Sequence, residues 1–223
     1  MAHRYWPFFD LRIRTDGLEL SVSTDDDLVE LAALAAQGVH PPEVMPFAMP
    51  WTDRPSPVLE RGLLQWHWRC RAELSPERWA LDFVVRRGGV VVGTQGLSAE
   101  SYPLLRTVQT GSWLGSRYQR QGIGTGMRRA VLHLAFAGLG AEAATSAAFA
   151  DNIASERVSG RLGYDLNGVE WKAPRGAPLE FRRFRLTRAS WEARRTAGVE
   201  IEGLEPCLVL LGAPPTGGQP LAP

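Results

Sequence analysis

The spacing of apolar positions along this chain changes period several times, and each change marks an element. LELSV (18–22) alternates and predicts a strand. The next segment, STDDDLVELAALAAQG, has helical spacing. Thr24 is placed to cap it, Asp25, Asp26 and Asp27 fill a first turn where the helix dipole favours negative charge, and Gly38 ends it. Residues 39–57 hold six prolines and predict an irregular connection. VLERGLLQWHWRCRAEL (58–74) reads as a second helix, and Trp66 and Trp68, two apart on it, are expected to divide between core and surface. RWALDFVVRR (78–87) and GVVVGTQGLS (89–98) are strands joined as a hairpin at Gly88-Gly89. TVQTGSWL (107–114) alternates again. A helix follows, its apolar face set by Ile123, Met127, Val131, Leu134 and Ala135, and it ends near Gly138-Leu139-Gly140. AATSAAFA (143–150) reads as a buried strand of small residues. DNIASERVSGRLGY (151–164) predicts a helix capped by Asp151, with Ala154, Val158 and Leu162 facing inward. EFRRFRLTR (180–188) alternates apolar and basic residues, as a half-solvated strand does.

This order predicts an α/β (α+β) fold: a mixed, mostly antiparallel central sheet of about seven strands with helices on both faces. The strand–helix–strand unit from residue 107 to residue 149 should be parallel and right-handed. Residues 1–198 are read as a single domain. VEIEGLEPCLVLLG (199–212) is apolar enough to dock as a strand or helix, covering a sheet edge or forming a homodimer contact. GAPPTGGQPLAP (212–223) is Pro/Gly-rich and is expected to be disordered.

Composition narrows the function classes. Of 223 residues, 44% are hydrophobic and 22% charged, and the net charge of +1 favours neither nucleic acid nor an acidic membrane surface as partner. Exposed arginines of an alternating strand account for EFRRFRLTR without any anionic ligand. The two cysteines, Cys70 and Cys207, have no metal-type spacing and suit a reducing compartment. No apolar run of membrane-spanning length occurs, and the N-terminus lacks the apolar core of a signal peptide, so a cytoplasmic location is expected. His3, His40, His67 and His133 are scattered, and no metal site is expected.

The chemistry concentrates in GSWLGSRYQRQGIGTGM (111–127). Three glycines, Gly122, Gly124 and Gly126, stand at the mouth of a helix, where unpaired N–H groups and the helix dipole attract an anion and absent side chains let it approach. A P-loop is disfavoured because Gly124 is followed by Thr125-Gly126 and no lysine, and a dinucleotide fingerprint fails at Met127, where its third glycine belongs. Gln119-Arg120-Gln121-Gly122-Ile123-Gly124 matches instead the Q/R-x-x-G-x-G/A signature of the GNAT acyltransferases, and DNIASERVSGRLGY looks like that family's N-x-x-S helix. The chain resembles the family from about residue 18 to about residue 188 and, within it, the RimJ/RimL-like branch, which acetylates protein N-termini and small amines.

The resemblance implies roles residue by residue. The main-chain N–H groups of Arg120, Gln121, Gly122, Ile123, Gly124, Thr125 and Gly126 would hold the pyrophosphate of coenzyme A. Ser112, Trp113 and Leu114 would pair with the pantetheine arm, and the Leu114 N–H would polarise the thioester carbonyl as a catalytic contact. Asn152 and Ser155 would lie near the pantetheine and the sulfur, with Ser155 the catalytic candidate to protonate the leaving thiolate. Some relatives use a tyrosine seven residues after the asparagine for that job; here Ser159 stands there. No carboxylate is fixed by motif as the base, and Glu170 and Glu43 are the candidates. The implied activity is transfer of acetyl from acetyl-CoA, or of another acyl group such as succinyl, to a primary amine on a protein or small molecule, by direct attack in a ternary complex. A coenzyme A-binding sensor without turnover is the alternative.

Overall fold

The computed structural model describes residues 3–215, so the end of the Pro/Gly-rich tail lies outside the described residues. Its elements in chain order are β1 (Arg12–Thr15), β2 (Leu18–Val22), α1 (Asp25–Ala36), α2 (Val58–Ala72), β3 (Arg78–Arg87), β4 (Val90–Glu100), α3 (Tyr102–Leu105), β5 (Thr107–Leu114), α4 (Ile123–His133), β6 (Ala143–Phe149), α5 (Ile153–Arg161), β7 (Asp165–Lys172), β8 (Leu179–Thr187), α6 (Arg188–Glu192) and β9 (Glu200–Glu202). They build one nine-stranded sheet in the order β7-β8-β6-β5-β4-β3-β2-β1-β9. Every described pairing is antiparallel except β5 with β6.

Two strands that the pattern did not announce are the short β1 and the edge strand β7. In β7 nearly every residue is exposed, so no inside–outside alternation marks it. β9 comes from the 199–212 segment and pairs with β1, covering that edge of the sheet.

Helices cover both faces because the central strands are apolar on both sides. In β3, Phe83 and Val85 face the core that holds Ile123, Met127 and Val131 of α4. Val84 faces the core built on Leu28, Leu31 and Leu34 of α1 and Leu59 and Leu63 of α2. The predicted face of the third long helix is buried throughout: Ile123, Met127, Val131, Leu134 and Ala135 are at most 4% exposed, and each large side chain there contributes about 1.5–3 kcal/mol. A π-turn, Leu134–Gly138, carries the chain out of α4. Thr24 caps α1 in a reciprocal box with Asp27.

Three expectations need correction. Neither Trp66 nor Trp68 enters the core; the residue of α2 buried between them is His67, and the two indole N–H groups donate to Asp82 and Asp25. Asn152 rather than Asp151 caps α5, its Oδ1 accepting the Ser155 N–H at 3.1 Å. Ala154 is exposed, and the fully buried side chain of α5 is Ser159, a polar group drawn inward by a partner described below.

Candidate active site

β5 determines where the site lies. It pairs with β4 as far as Leu114, but its parallel pairing with β6 runs only from Thr107↔Ala143 to Gln109↔Thr145. Beyond that point β6 continues to Phe149 paired with β8 alone. The sheet therefore opens between Thr110–Leu114 on one side and Ser146–Phe149 on the other. The Gly115 N–H donates to Val92 O at 3.0 Å. Since bonded and non-bonded pairs alternate in an antiparallel ladder, Gly111 and Trp113 turn their main chain to β4, while Ser112 and Leu114 turn theirs into the opening. The Leu114 carbonyl is occupied by Gln119 Nε2 at 3.0 Å.

The chain then winds into α4 through left-handed conformations at Arg120 (φ 61°) and Gly122 (φ 82°). For Arg120 that conformation costs about 1–2 kcal/mol, the kind of local strain a binding loop retains. The result is a run of donors. Among the described residues, the N–H groups of Arg120, Gln121, Gly122, Ile123 and Gly124 have no protein acceptor. Thr125 and Gly126 differ, both donating to Gly122 O at 3.1 Å. The glycines also separate by role. A Cβ on Gly124 would lie 3.9 Å from both Leu114 and Val158, so this residue borders the opening between β5 and α5. A Cβ on Gly126 would come within 3.0 Å of Leu18, so glycine there lets α4 close on β2. At the mouth, Gln121 is anchored to Arg87 and to Arg117 O, and the exposed Arg120 guanidinium has no partner among the described residues.

Of the residues expected near the sulfur, Asn152 spends its carboxamide oxygen on the α5 cap, while the half-buried Ser155 hydroxyl has no partner among the described residues. Ser159 is fully buried and accepts from Arg128 Nη1 at 3.1 Å. Arg128 escaped the sequence reading; the signal was a cation four residues after Gly124, on the stripe that continues to Val131 and Ala135. It is 5% exposed and touches hydroxyls from three other elements: Ser159 on α5, Ser146 on β6 at 3.2 Å and Ser112 on β5 at 3.4 Å. Burial drives its pKa downward, and its Nε has no acceptor among the described residues. Tyr164 is buried beside it, bonded to Thr110 Oγ1 at 3.3 Å, and burial pushes the phenol pKa up.

The proline-rich connection 39–57 folds over the other face of the opening. It is fastened to the loop after β5 by Gln119 Nε2 to Val39 O at 2.7 Å and by the Ser116 N–H and hydroxyl to Gly38 O. An aromatic row, His40, Phe47, Trp51 and Trp113, steps down into it with centroid separations of 5.2–5.8 Å. From the far side, Arg175 in the β7–β8 turn grips Asp53 and Pro42 O, and this contact lowers the Asp53 pKa. Of the two base candidates, Glu170 lies on the edge strand β7 and is ion-paired to Arg183, away from the opening. Glu43 is exposed on the connection. No group of side chains suited to a metal ion occurs, and no helix is long and apolar enough to cross a membrane, among the described residues.

The donor run, the split pair of parallel strands and the following helix suit a long carrier that bears a diphosphate. Residues 18–165 match the acetyltransferase (GNAT) domain family. Similar folds include RimL, a ribosomal-protein alpha-N-acetyltransferase solved with coenzyme A, at 17% identity and TM-score 0.64 over 79% of this chain and 97% of that one. Mycobacterium smegmatis RimJ, solved with coenzyme A disulfide, is similar at 18% identity and TM-score 0.64 over 84% of this chain and 95% of that one. A microcin self-immunity acetyltransferase, MccE, solved with acetyl-CoA and AMP, is similar at 17% identity and TM-score 0.59 over 77% and 93%. With a family match spanning well over half its length and this fold beneath it, the chain belongs to the GNAT acetyltransferase family.

Proposed function

We propose that this protein transfers an acyl group, acetyl first among the candidates, from coenzyme A to a primary amine within a ternary complex. The observation that carries this reading is the unbroken run of unused main-chain donors from Arg120 to Gly124 at the end of the opening between β5 and β6. Diphosphate oxygens would take these N–H groups, each charge-assisted bond contributing about 1.5–3 kcal/mol. The pantetheine amides would then run along the main chain of Leu114 and Ser112. Strand rise gives about 13 Å from Leu114 back to Thr110 for that arm.

The chemistry asked of the chain is modest. The amine must arrive unprotonated, and lysine and α-amines titrate near 10.4 and 8. A main-chain N–H turned into the opening, at Leu114 or at Ser112 farther along the arm, would hold the thioester oxygen as it gains charge, and the Ser155 hydroxyl, without a partner among the described residues, would donate toward the sulfur. Positioning supplies much of the remainder. The acceptor would enter through the aromatic row beneath 39–57. A flexible peptide N-terminus suits that open, aromatic entry, and RimL, among the similar folds, is a ribosomal-protein alpha-N-acetyltransferase.

The test is calorimetric titration with coenzyme A, followed by free-thiol release with acetyl-CoA and succinyl-CoA across peptides and small amines. Micromolar binding and amine-dependent thiol release support the reading, and the preferred donor names the acyl group. Tight binding with no release from any donor would mean a sensor, and no binding at all would remove the basis of the proposal.

A further inference from the structure

We propose that Arg128 is the cation that stabilises the thiolate leaving from the acyl carrier, acting through the hydroxyl of Ser112. This rests on the acyltransferase reading above.

The guanidinium lies where the sheet splits. Its contacts come from both sides of the opening, Ser112 on β5 and Ser146 on β6, and from Ser159 on α5 above them. It is 5% exposed, pairs with no carboxylate among the described residues, and leaves Nε without an acceptor. A permanent charge buried without a counter-ion is expensive. A fold that keeps one has reason to place it where negative charge arrives. Tyr164, the titratable side chain beside it, stays neutral because burial disfavours the phenolate, so it leaves the charge uncompensated.

The Ser112 hydroxyl carries the effect to the opening. A guanidinium only donates, so each serine Oγ bonded to it accepts and keeps its own O–H to give away. Ser112 sits half-buried on the strand whose main chain borders the opening, and Ser159 lies fully buried behind it. In the reaction, the amine lone pair forms the C–N bond at the thioester carbonyl. The C–S bond then breaks with its electron pair going to sulfur, and the proton lost by the amine passes to solvent. The products are amide, coenzyme A thiolate and one proton. A buried cation relayed by the Ser112 hydroxyl makes protonation of that thiolate by a phenol unnecessary. Arg128 is thus a positioning and electrostatic residue; the half-buried Ser112 is the group that would meet the sulfur, and the fully buried Ser159 holds the guanidinium from behind.

The experiment titrates the thiol of coenzyme A in its binary complex with the full chain, with no amine present, by the ultraviolet absorbance of the thiolate. Burial pushes both Cys70 and Cys207 up to about 12, so the signal near neutrality belongs to the carrier. A free thiol titrates near about 8.5. The bound thiol is expected at least about one unit lower. Arg128→Met should return it upward by about one unit, a tenfold loss of thiolate at fixed pH, with Arg128→Lys recovering part of the shift. In turnover, Arg128→Met should lower kcat at least about tenfold while coenzyme A affinity stays within about threefold. Ser112→Ala, which keeps the guanidinium and removes the relay, guards against a misfolded Arg128 variant and should move the thiol pKa the same way by a smaller amount. A bound wild-type thiol that titrates like the free one would overturn the proposal while leaving the acyltransferase reading intact. Failure of the wild type to bind coenzyme A would instead defeat both.

Discussion

Gly124 and Gly126 stand two positions apart and are glycines for different reasons. Gly124 faces the opening, with Leu114 and Val158 just within contact of the missing Cβ. Gly124→Glu would thrust a carboxylate among the donors proposed to hold the diphosphate while disturbing little of the core. We expect coenzyme A affinity to fall at least about a hundredfold, as the loss of two bonds of about 1.5 kcal/mol implies, with the melting temperature nearly unchanged; calorimetry and a thermal melt check both halves. Asn152 and Ser155 separate in a similar way. The Asn152 carboxamide caps α5, so Asn152→Ala should cost about 1 kcal/mol of stability. The Ser155 hydroxyl has no partner among the described residues. Ser155→Ala should therefore leave the denaturation midpoint where it is and reduce kcat by about tenfold to a hundredfold, as the loss of one hydrogen bond to the developing thiolate implies. Equal losses of stability in the two variants would reject that division of labour.

At the scale of elements, β5 works because it is shared unequally. Its full ladder with β4 holds it rigid, and its short ladder with β6 leaves the far end of the sheet open. Two segments then frame the opening. The connection 39–57 is fastened through Gln119 and Ser116, and the β7–β8 turn reaches it through Arg175. The Arg175–Asp53 pair is solvent-facing, so its worth to global stability is small. Its consequence is local. Arg175→Ala should raise KM for the amine several-fold while leaving coenzyme A binding unchanged, and bisubstrate kinetics separate the two. An effect confined to coenzyme A would show that the turn serves the carrier and not the acceptor. The capping box of α1 is a further element-scale device; Thr24→Ala should cost about 1 kcal/mol in urea unfolding.

Over the whole molecule, a sheet buried on both faces must tolerate the polar groups its helices carry inward, and His67 is one of them. It is 5% exposed on the inner stripe of α2. Burial first, then the Arg71 charge, holds its imidazole below the ordinary 6.5, against an opposing pull from Asp82. His133 is lowered as well, by burial and then by Arg195. A histidine whose folded pKa is depressed is neutral in the native state and protonates more readily when unfolded. Its contribution is therefore complete above about pH 6.5 and is lost as pH falls toward the folded pKa, at no more than about 1.4 kcal/mol per unit for each histidine. Denaturant midpoints measured from pH 7.5 to 5 should decline below 6.5, and His67→Gln should flatten the decline even if it lowers the plateau. An unchanged slope in that variant would assign the effect elsewhere.

The sequence by itself determined the local alphabet of this protein. Alternation specified LELSV, TVQTGSWL and the hairpin at Gly88-Gly89, helical spacing specified α1, α2 and α4, and the glycines after Gln119 marked the mouth of α4, because each signal is written within one element. Edge strands such as β7 gave no signal, since a strand exposed on both faces needs no alternation. Tertiary structure alone decided where β5 and β6 separate, which main-chain donors before α4 have no acceptor among the described residues, and what Ser159 touches. Pairing, splitting and the meeting of Arg128 with serines from three other elements depend on contacts between residues far apart in the chain, and no periodicity within a segment records its distant partners.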